Sequence, residues 1–230
     1  MAAPSPDDGK VTPLPPVPSR TEQVYEAIVR DICTGQLQPG VPLRQEQLAE
    51  RFQVSRQPVQ QALLLLRNEG LLREFGRRGL EVAPLRRKFV SQLFELRAIL
   101  DGQAARLAAQ RGTAESLERL RGVVGTGERA FEDRAFSHMI TADVDFHRGV
   151  VDAAGNPLLT ESTGVLWRNV QRVMGEVLLQ GGAPAWVWED HAAIFAAITA
   201  GDADEAEALA RRHAEHGEQL ILDGLPPEVD

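Results

Sequence analysis

Residues 43–82 read LRQEQLAERFQVSRQPVQQALLLLRNEGLLREFGRRGLEV, and this stretch sets the fold class of the chain. Leu48, Ala49 and Phe52 recur at helical spacing and predict a short helix with one apolar face. Phe52-Gln53-Val54 makes a tight turn. Ser55 stands at an N-cap position, where its hydroxyl can accept an orphan amide of the next helix. Pro58 falls in the first turn of that helix, where it forfeits no internal hydrogen bond. Val59, Leu63 and Leu66 form the buried face. Gly70 is suited to end the helix in a left-handed backbone. Leu71-Leu72 and Leu80-Glu81-Val82 read as two short strands around a basic tip, Gly76-Arg77-Arg78-Gly79. This order predicts a winged helix-turn-helix, with its second helix in the DNA major groove and its wing on backbone or minor groove. Arg56, Gln57, Gln60 and Gln61 lie at the exposed start of that helix, where Arg can bond guanine and Gln adenine. Arg77, Arg78 and Gly79 are the candidates for holding the wing on the duplex.

Charge supports a local DNA-binding role. The net charge of −8 is unevenly spread. Residues 1–50 carry 4 basic and 7 acidic groups, residues 51–88 carry 9 and 3, and residues 89–230 carry 12 and 23. The positive field therefore sits on the helix-turn-helix and wing, and fields act on phosphates locally. The acidic remainder opposes non-specific binding to nucleic acid. Length suits one large or two small domains. No run of about 18 apolar residues occurs, and the first ten residues, MAAPSPDDGK, lack an apolar signal core, so no span or leader is expected. Cys33 is the single cysteine; it reads as a small buried hydrophobe in a protein of the reducing cytoplasm.

The chain divides into three parts. Residues 1–18 hold six prolines among small polar residues and are expected to be a disordered arm. Residues 19–84 form the winged helix-turn-helix domain, opened by the capping box Ser19-x-x-Glu22 and a helix with Val24, Ile28 and Ile32 on one face. Residues 86–223 show almost no strand alternation. They predict an all-α antiparallel bundle of six helices, at about 88–110, 114–133, 135–154, 157–180, 185–200 and 203–222. Gly112-Thr113, Gly155-Asn156-Pro157, Gly181-Gly182 and Gly201-Asp202 punctuate them. The fold class is thus mainly α, with one small β-hairpin.

Inside the bundle, helical spacing singles out four residues. Asp143 and His147 are one turn apart on a face that also carries Met139, Ile140, Val150 and Val151. His191 shares a face with Ile194, Phe195 and Ile198, and His213 with Ala206, Leu209 and Leu220. His138 reads as solvated, and His216 is one turn from His213. Buried polar groups need partners. The four can satisfy one another by hydrogen bonds alone, or hold a divalent metal such as Zn, Ni, Mn or Fe. Arg97 lies among Leu93, Phe94 and Leu100; it can clamp an incoming carboxylate or pair with Asp101. Asn169 and Arg172 are further candidates for lining the same cavity.

Two sets of motifs carry a resemblance. Leu48-Ala49, Val54-Ser55-Arg56, Pro58-Val59, Ala62-Leu63, Leu66, Glu69-Gly70-Leu71 and Arg78-Gly79-x-x-Val82 resemble the DNA-binding domain of the GntR family of bacterial transcription regulators. Glu95-Leu96-Arg97, Asp143-x-x-Phe146-His147, Ala154-Gly155-Asn156-Pro157-Leu158, His191-x-x-Ile194 and Gly201-Asp202 to His213 resemble the FCD ligand-binding domain of its FadR subfamily. Six helices after the wing are more like the shorter VanR-type branch. The resemblance implies a homodimer, mostly a repressor, on a short palindromic operator. It also implies a small carboxylate effector, often bound through a metal. The family's Asp-His-His-His pattern falls on Asp143, His147, His191 and His213, and Arg97 matches a position that lines the effector cavity. Three positions depart from the pattern: Gln60 and Glu46 stand where Arg is common, and Gly76 where Pro is usual. These imply a different operator, weaker DNA binding and a more mobile wing tip. A metal-dependent enzyme built on the Asp/His set, and a ligand-free architectural DNA-binding protein, remain open as alternatives.

Overall fold

The computed structural model describes residues 18–76, 79–181 and 184–225. All but the last residue of the expected N-terminal arm, and the wing arginines Arg77 and Arg78, lie outside the described residues.

The N-terminal unit is built from α1 (Arg20–Cys33), β1 (Pro42–Leu43), α2 (Gln45–Phe52), α3 (Arg56–Asn68), β2 (Leu72–Phe75) and β3 (Gly79–Val82). The capping box forms: Glu22 donates its amide to Ser19 Oγ at 3.2 Å, and Ser19 donates to the Glu22 carboxylate at 2.6 Å. The turn between α2 and α3 is tight because Gln53 takes a left-handed backbone, φ 53°. Gly70 does the same at φ 77°, and Leu71 then donates back to Leu66 O at 3.0 Å, which ends α3. Ile28, Val59, Leu63, Leu66, Leu71 and Val82 meet in one core.

Two local expectations need correction. The sheet has three strands, not two, in the order β1-β3-β2, with Leu43 opposite Leu80. A two-residue strand is too short to show alternation, so only the pairing reveals it. Ser55 does occupy the N-cap of α3 in an extended backbone, but its side chain makes no capping hydrogen bond. The reason lies three residues on: Pro58 is at N3, a position whose amide normally meets the cap hydroxyl, and proline has none.

The bundle holds α4 (Arg87–Arg111), α5 (Ala114–Glu132), α6 (Phe136–Ala153), α7 (Pro157–Gly181), α8 (Trp186–Ala200) and α9 (Ala203–Gly224). Each bound falls within two residues of the expected one. α4 packs along α9, α5 on α6, and α8 on α9. The approach of α5 to α8 requires glycine, because a Cβ on Gly127 would lie 1.8 Å from the Trp188 ring. α7 also packs against α1, so it joins the bundle to the N-terminal unit. Among the described residues no helix is long and apolar enough to cross a membrane.

Candidate metal centre and nucleic-acid interface

Five of the six bundle helices meet at one buried polar cluster. α6 contributes Asp143 and His147, α8 His191 and α9 His213, and one donor atom from each lies within 4.8 Å of the other three. All four are buried; His191 is fully so. His191 Nε2 is 3.1 Å from His213 Nε2 and 3.4 Å from Asp143 Oδ1. Such spacings suit donors that share one ion at about 2 Å each.

A second layer aims these rings. His147 Nδ1 is 3.3 Å from Asp101 Oδ2 on α4, and His213 Nδ1 is 3.3 Å from Asp190 Oδ2 on α8. A carboxylate on Nδ1 holds the proton there and turns the Nε2 lone pair inward, the arrangement common around metal-ligating histidines. Asp143 Oδ2 and His191 Nδ1 are buried without a hydrogen-bond partner. Orphaned buried polar atoms are rare, and these two belong to the set itself, with Asp101 Oδ1 a third in the layer behind it. The donor set therefore fits a divalent metal.

Burial pushes His147 and His213 down to about 4 and His191 well below the usual imidazole range; Arg97 adds to the effect on His147. At neutral pH all three are uncharged, as metal ligands must be. Burial raises Asp143. Burial also opposes ionisation of Asp101, but its contacts with His147 and Arg97 outweigh this and hold the carboxyl below its ordinary value. The hydrogen bond from His213 lowers Asp190.

These shifts set a pH dependence for the chelator-treated protein. The imidazoles titrate near 6.5 when unfolded and about 4 for His147 and His213 when folded, so the unfolded chain binds more protons between those values. The neutral histidines' contribution is complete above pH 6.5 and is lost as pH falls toward 4. It is at most on the order of 3 kcal/mol for each of these two. Asp143, shifted upward, opposes this above pH 3.8. Urea unfolding midpoints with chelator present should fall steeply from pH 6.5 to 4.5. A flat profile would show that the histidines are not buried in neutral form.

Arg97 is buried and does two things. Its Nε donates to Asp101 Oδ2 at 3.0 Å, and its terminal nitrogen donates to His147 Nε2 at 2.8 Å. It thus takes the lone pair that a metal would need. The guanidinium also lies over the rings of Trp167 (4.9 Å) and Phe94 (5.2 Å), and Trp167 stacks on His147 at 4.4 Å. Among the described residues the cavity beside the cluster is water-sized, lined by Asp101, Ala104, Phe146, His147, Val150, Ile194 and Ala210.

Asn169, expected to line this cavity, is placed elsewhere. Its amide reaches Val165 O (3.1 Å) and Glu69 O (3.4 Å), on the side of α7 that faces the N-terminal unit. Asn169 follows Trp167 by two residues, so the two side chains leave the helix on different sides. His138 is exposed, and His216 lies half-exposed 3.5 Å from Asp190. Helical spacing does not reveal Asp190, because apolar neighbours mark the inward face and Asp190 stands one residue, or about 100°, from His191. Asp101, expected only as a partner of Arg97, also holds His147.

The candidate DNA-facing surface is the start of α3. Arg56, Gln57 and Gln60 are exposed. Ser55 is exposed and its hydroxyl is unused as a cap, at a helix N-terminus of the kind that favours phosphate. Gln61 is engaged by α1, accepting from Thr21 Oγ1 at 2.8 Å. Glu46 on α2 pairs with Arg56 at 3.1 Å, both side chains well exposed. Gln60 lines a cleft between α3 and the wing with Gln45, Arg67 and Glu74. Gly79 begins β3; a Cβ there would lie 2.8 Å from Phe75 O, so the wing closes tightly only with glycine.

Comparison with known proteins matches both halves. Residues 20–82 match the family described as bacterial regulatory proteins, gntR family, and residues 92–216 match the FCD domain. The chain belongs to the GntR family of bacterial transcriptional regulators, with an FCD domain. The HTH-type transcriptional regulator LutR of Bacillus subtilis is 31% identical, over 83% of this chain and 95% of that protein. The HTH-type transcriptional repressor RspR of Escherichia coli is 27% identical, over 88% and 89%. E. coli McbR/YncC has the same fold, with a TM-score of 0.80 and 22% identity over 90% of this chain and 99% of that one. As a GntR protein the chain is a DNA-binding transcriptional regulator and not an enzyme.

Proposed function

We propose that this GntR regulator is a repressor whose DNA affinity is set by a divalent metal and a small carboxylate metabolite bound in the FCD domain. The observation that carries the reading is the buried Asp143, His147, His191 and His213 set, with Asp101 and Asp190 behind two of its rings. Zn suits such a nitrogen-rich set first, with Ni, Mn and Fe as alternatives. A metal held there would supply a positive charge to anchor the effector's carboxylate. Arg97 would be its second anchor, exchanging Asp101 or His147 for the ligand. A carboxylate metabolite does not fit the water-sized cavity, so the bound form requires these side chains to move.

Residues 19–84 would read DNA through Arg56, Gln57 and Gln60, with Arg77, Arg78 and Gly79 on the backbone. Residues 86–223 would bind the effector and form a homodimer. Two recognition helices about 34 Å apart then match a palindromic operator. The setting proposed is the cytoplasm. RspR, a relative of similar length, is named a repressor, which supports the sign of regulation.

Fluorescence anisotropy tests this with duplex DNA from upstream of the chain's own gene and a scrambled control, with Zn or with chelator. Preference for the native duplex, changed at least about fivefold by Zn, is the expected result. Equal affinity with Zn and with chelator would remove the metal from the regulatory function.

A further inference from the structure

α7 grips the recognition helix of the same chain. Glu69 is the C-cap of α3, and Arg168 on α7 takes both its carboxylate oxygens, at 3.0 Å from Nε and 2.9 Å from the terminal nitrogen. Tyr25 of α1 donates its hydroxyl to the same carboxylate, and the Arg168 guanidinium lies 5.5 Å from the Tyr25 ring centre. Asn169 adds a bond to Glu69 O at 3.4 Å. Two turns along, α7 and the end of α1 touch so closely that a Cβ on Gly175 would stand 2.0 Å from Cys33 O. Arg168 and Glu69 are about one-fifth exposed, so this bidentate pair is less screened than an ordinary surface pair.

The same turn of α7 touches the polar cluster. Trp167 stacks on His147 and lies under Arg97, while the next two residues hold Glu69. In the form seen here Arg97 donates to His147 Nε2. A cation bound to that nitrogen takes its lone pair and repels the guanidinium. Arg97 must then move, and Trp167, packed on both groups, must move with it, because a close-packed interior has no slack to absorb the change.

We infer that the Glu69–Arg168 clamp is a latch, holding the recognition helix to α7 while Arg97 holds His147, and loosened through Trp167 when a metal fills the cluster. The inference rests on the metal reading above and adds the route by which that site reaches DNA. Coupling is reciprocal, so a latch loosened by metal is also a latch that weakens metal binding.

Tyr25 is the single tyrosine of the chain and sits in the clamp, so it is a built-in reporter. The full chain labelled with 3-fluorotyrosine is titrated with Zn and followed by fluorine NMR; Zn affinity is measured in parallel by competition with a chelating dye. Zn should move the Tyr25 resonance toward its position in Arg168→Gln and Glu69→Gln, which break the clamp from opposite sides. Both variants should bind Zn more tightly than wild type, by about fivefold or more, with Arg168→Lys between. Zn binding that leaves the resonance in place, or variants with wild-type Zn affinity, would overturn the latch and leave the metal site standing. If Zn does not bind at all, the metal reading and the latch fall together.

Discussion

His147→Ala is expected to lose metal. His147 supplies one of four donors, and its ring is the one that both Asp101 and Arg97 hold. Changes in outer partners alone typically cost 10–100-fold in metal affinity, so loss of a ligand should cost at least about 100-fold. The variant also loses the stack on Trp167, so part of any stability change is packing; His147→Gln, which keeps more of the volume, separates the two. Metal content after dialysis against low Zn gives the answer directly. A His147→Ala protein that retains full metal would place the ion elsewhere.

Asp101→Asn gives the complementary result. The side chains of Asp101 and Arg97 are each 3% exposed. Removing the carboxylate leaves a buried guanidinium without its anion, which should cost on the order of 3–5 kcal/mol of stability. It should also weaken Zn binding about 10–100-fold, through the lost support of His147 Nδ1. His147→Ala thus acts mainly on metal, and Asp101→Asn on both metal and fold. Thermal unfolding with and without Zn distinguishes them.

The second large effect lies at the start of α3. Arg56→Ala should weaken operator binding by roughly 1–3 kcal/mol, the usual value of one good base contact. Glu46→Gln should act in the opposite direction. Glu46 pairs with Arg56 at 3.1 Å, with the two side chains 72% and 69% exposed. A pair so exposed contributes little to stability. Against DNA, however, its carboxylate both occupies Arg56 and repels phosphate. Its removal should therefore tighten binding without changing the unfolding midpoint. Glu46→Arg should go further, adding a phosphate contact that steepens the salt dependence by about 0.9 in the log–log slope. The pairing itself is tested by a double-mutant cycle. In an Arg56→Ala background the gain from Glu46→Gln should shrink to its repulsive part; an equal gain in both backgrounds would show that Glu46 does not restrain Arg56. Operator affinity unaffected by Arg56→Ala would remove this residue from recognition.

Periodicity and capping residues alone determined much of this protein. Ser19 with Glu22, Gly70, Gly155-Asn156-Pro157 and Gly201-Asp202 place the helix ends to within two residues, because caps are satisfied by neighbours in the chain. Asp143 and His147 share a face by helical geometry, and the apolar neighbours of His191 and His213 point them inward. The family could be read from the motifs in order. What the sequence did not reveal is how the elements meet. β1 exists only through its pairing with β3. The cap hydroxyl of Ser55 is unused because of a proline three residues on. Asp190 supports His213 from a neighbouring helix, Asn169 lies on the far side of α7, and Arg168 finds Glu69 across 99 positions of chain. Those contacts depend on how each helix is rotated and set against the next. That is decided by the packing of Trp167, Phe146, Gly127, Gly175 and the rest of the core together, and no local pattern contains it.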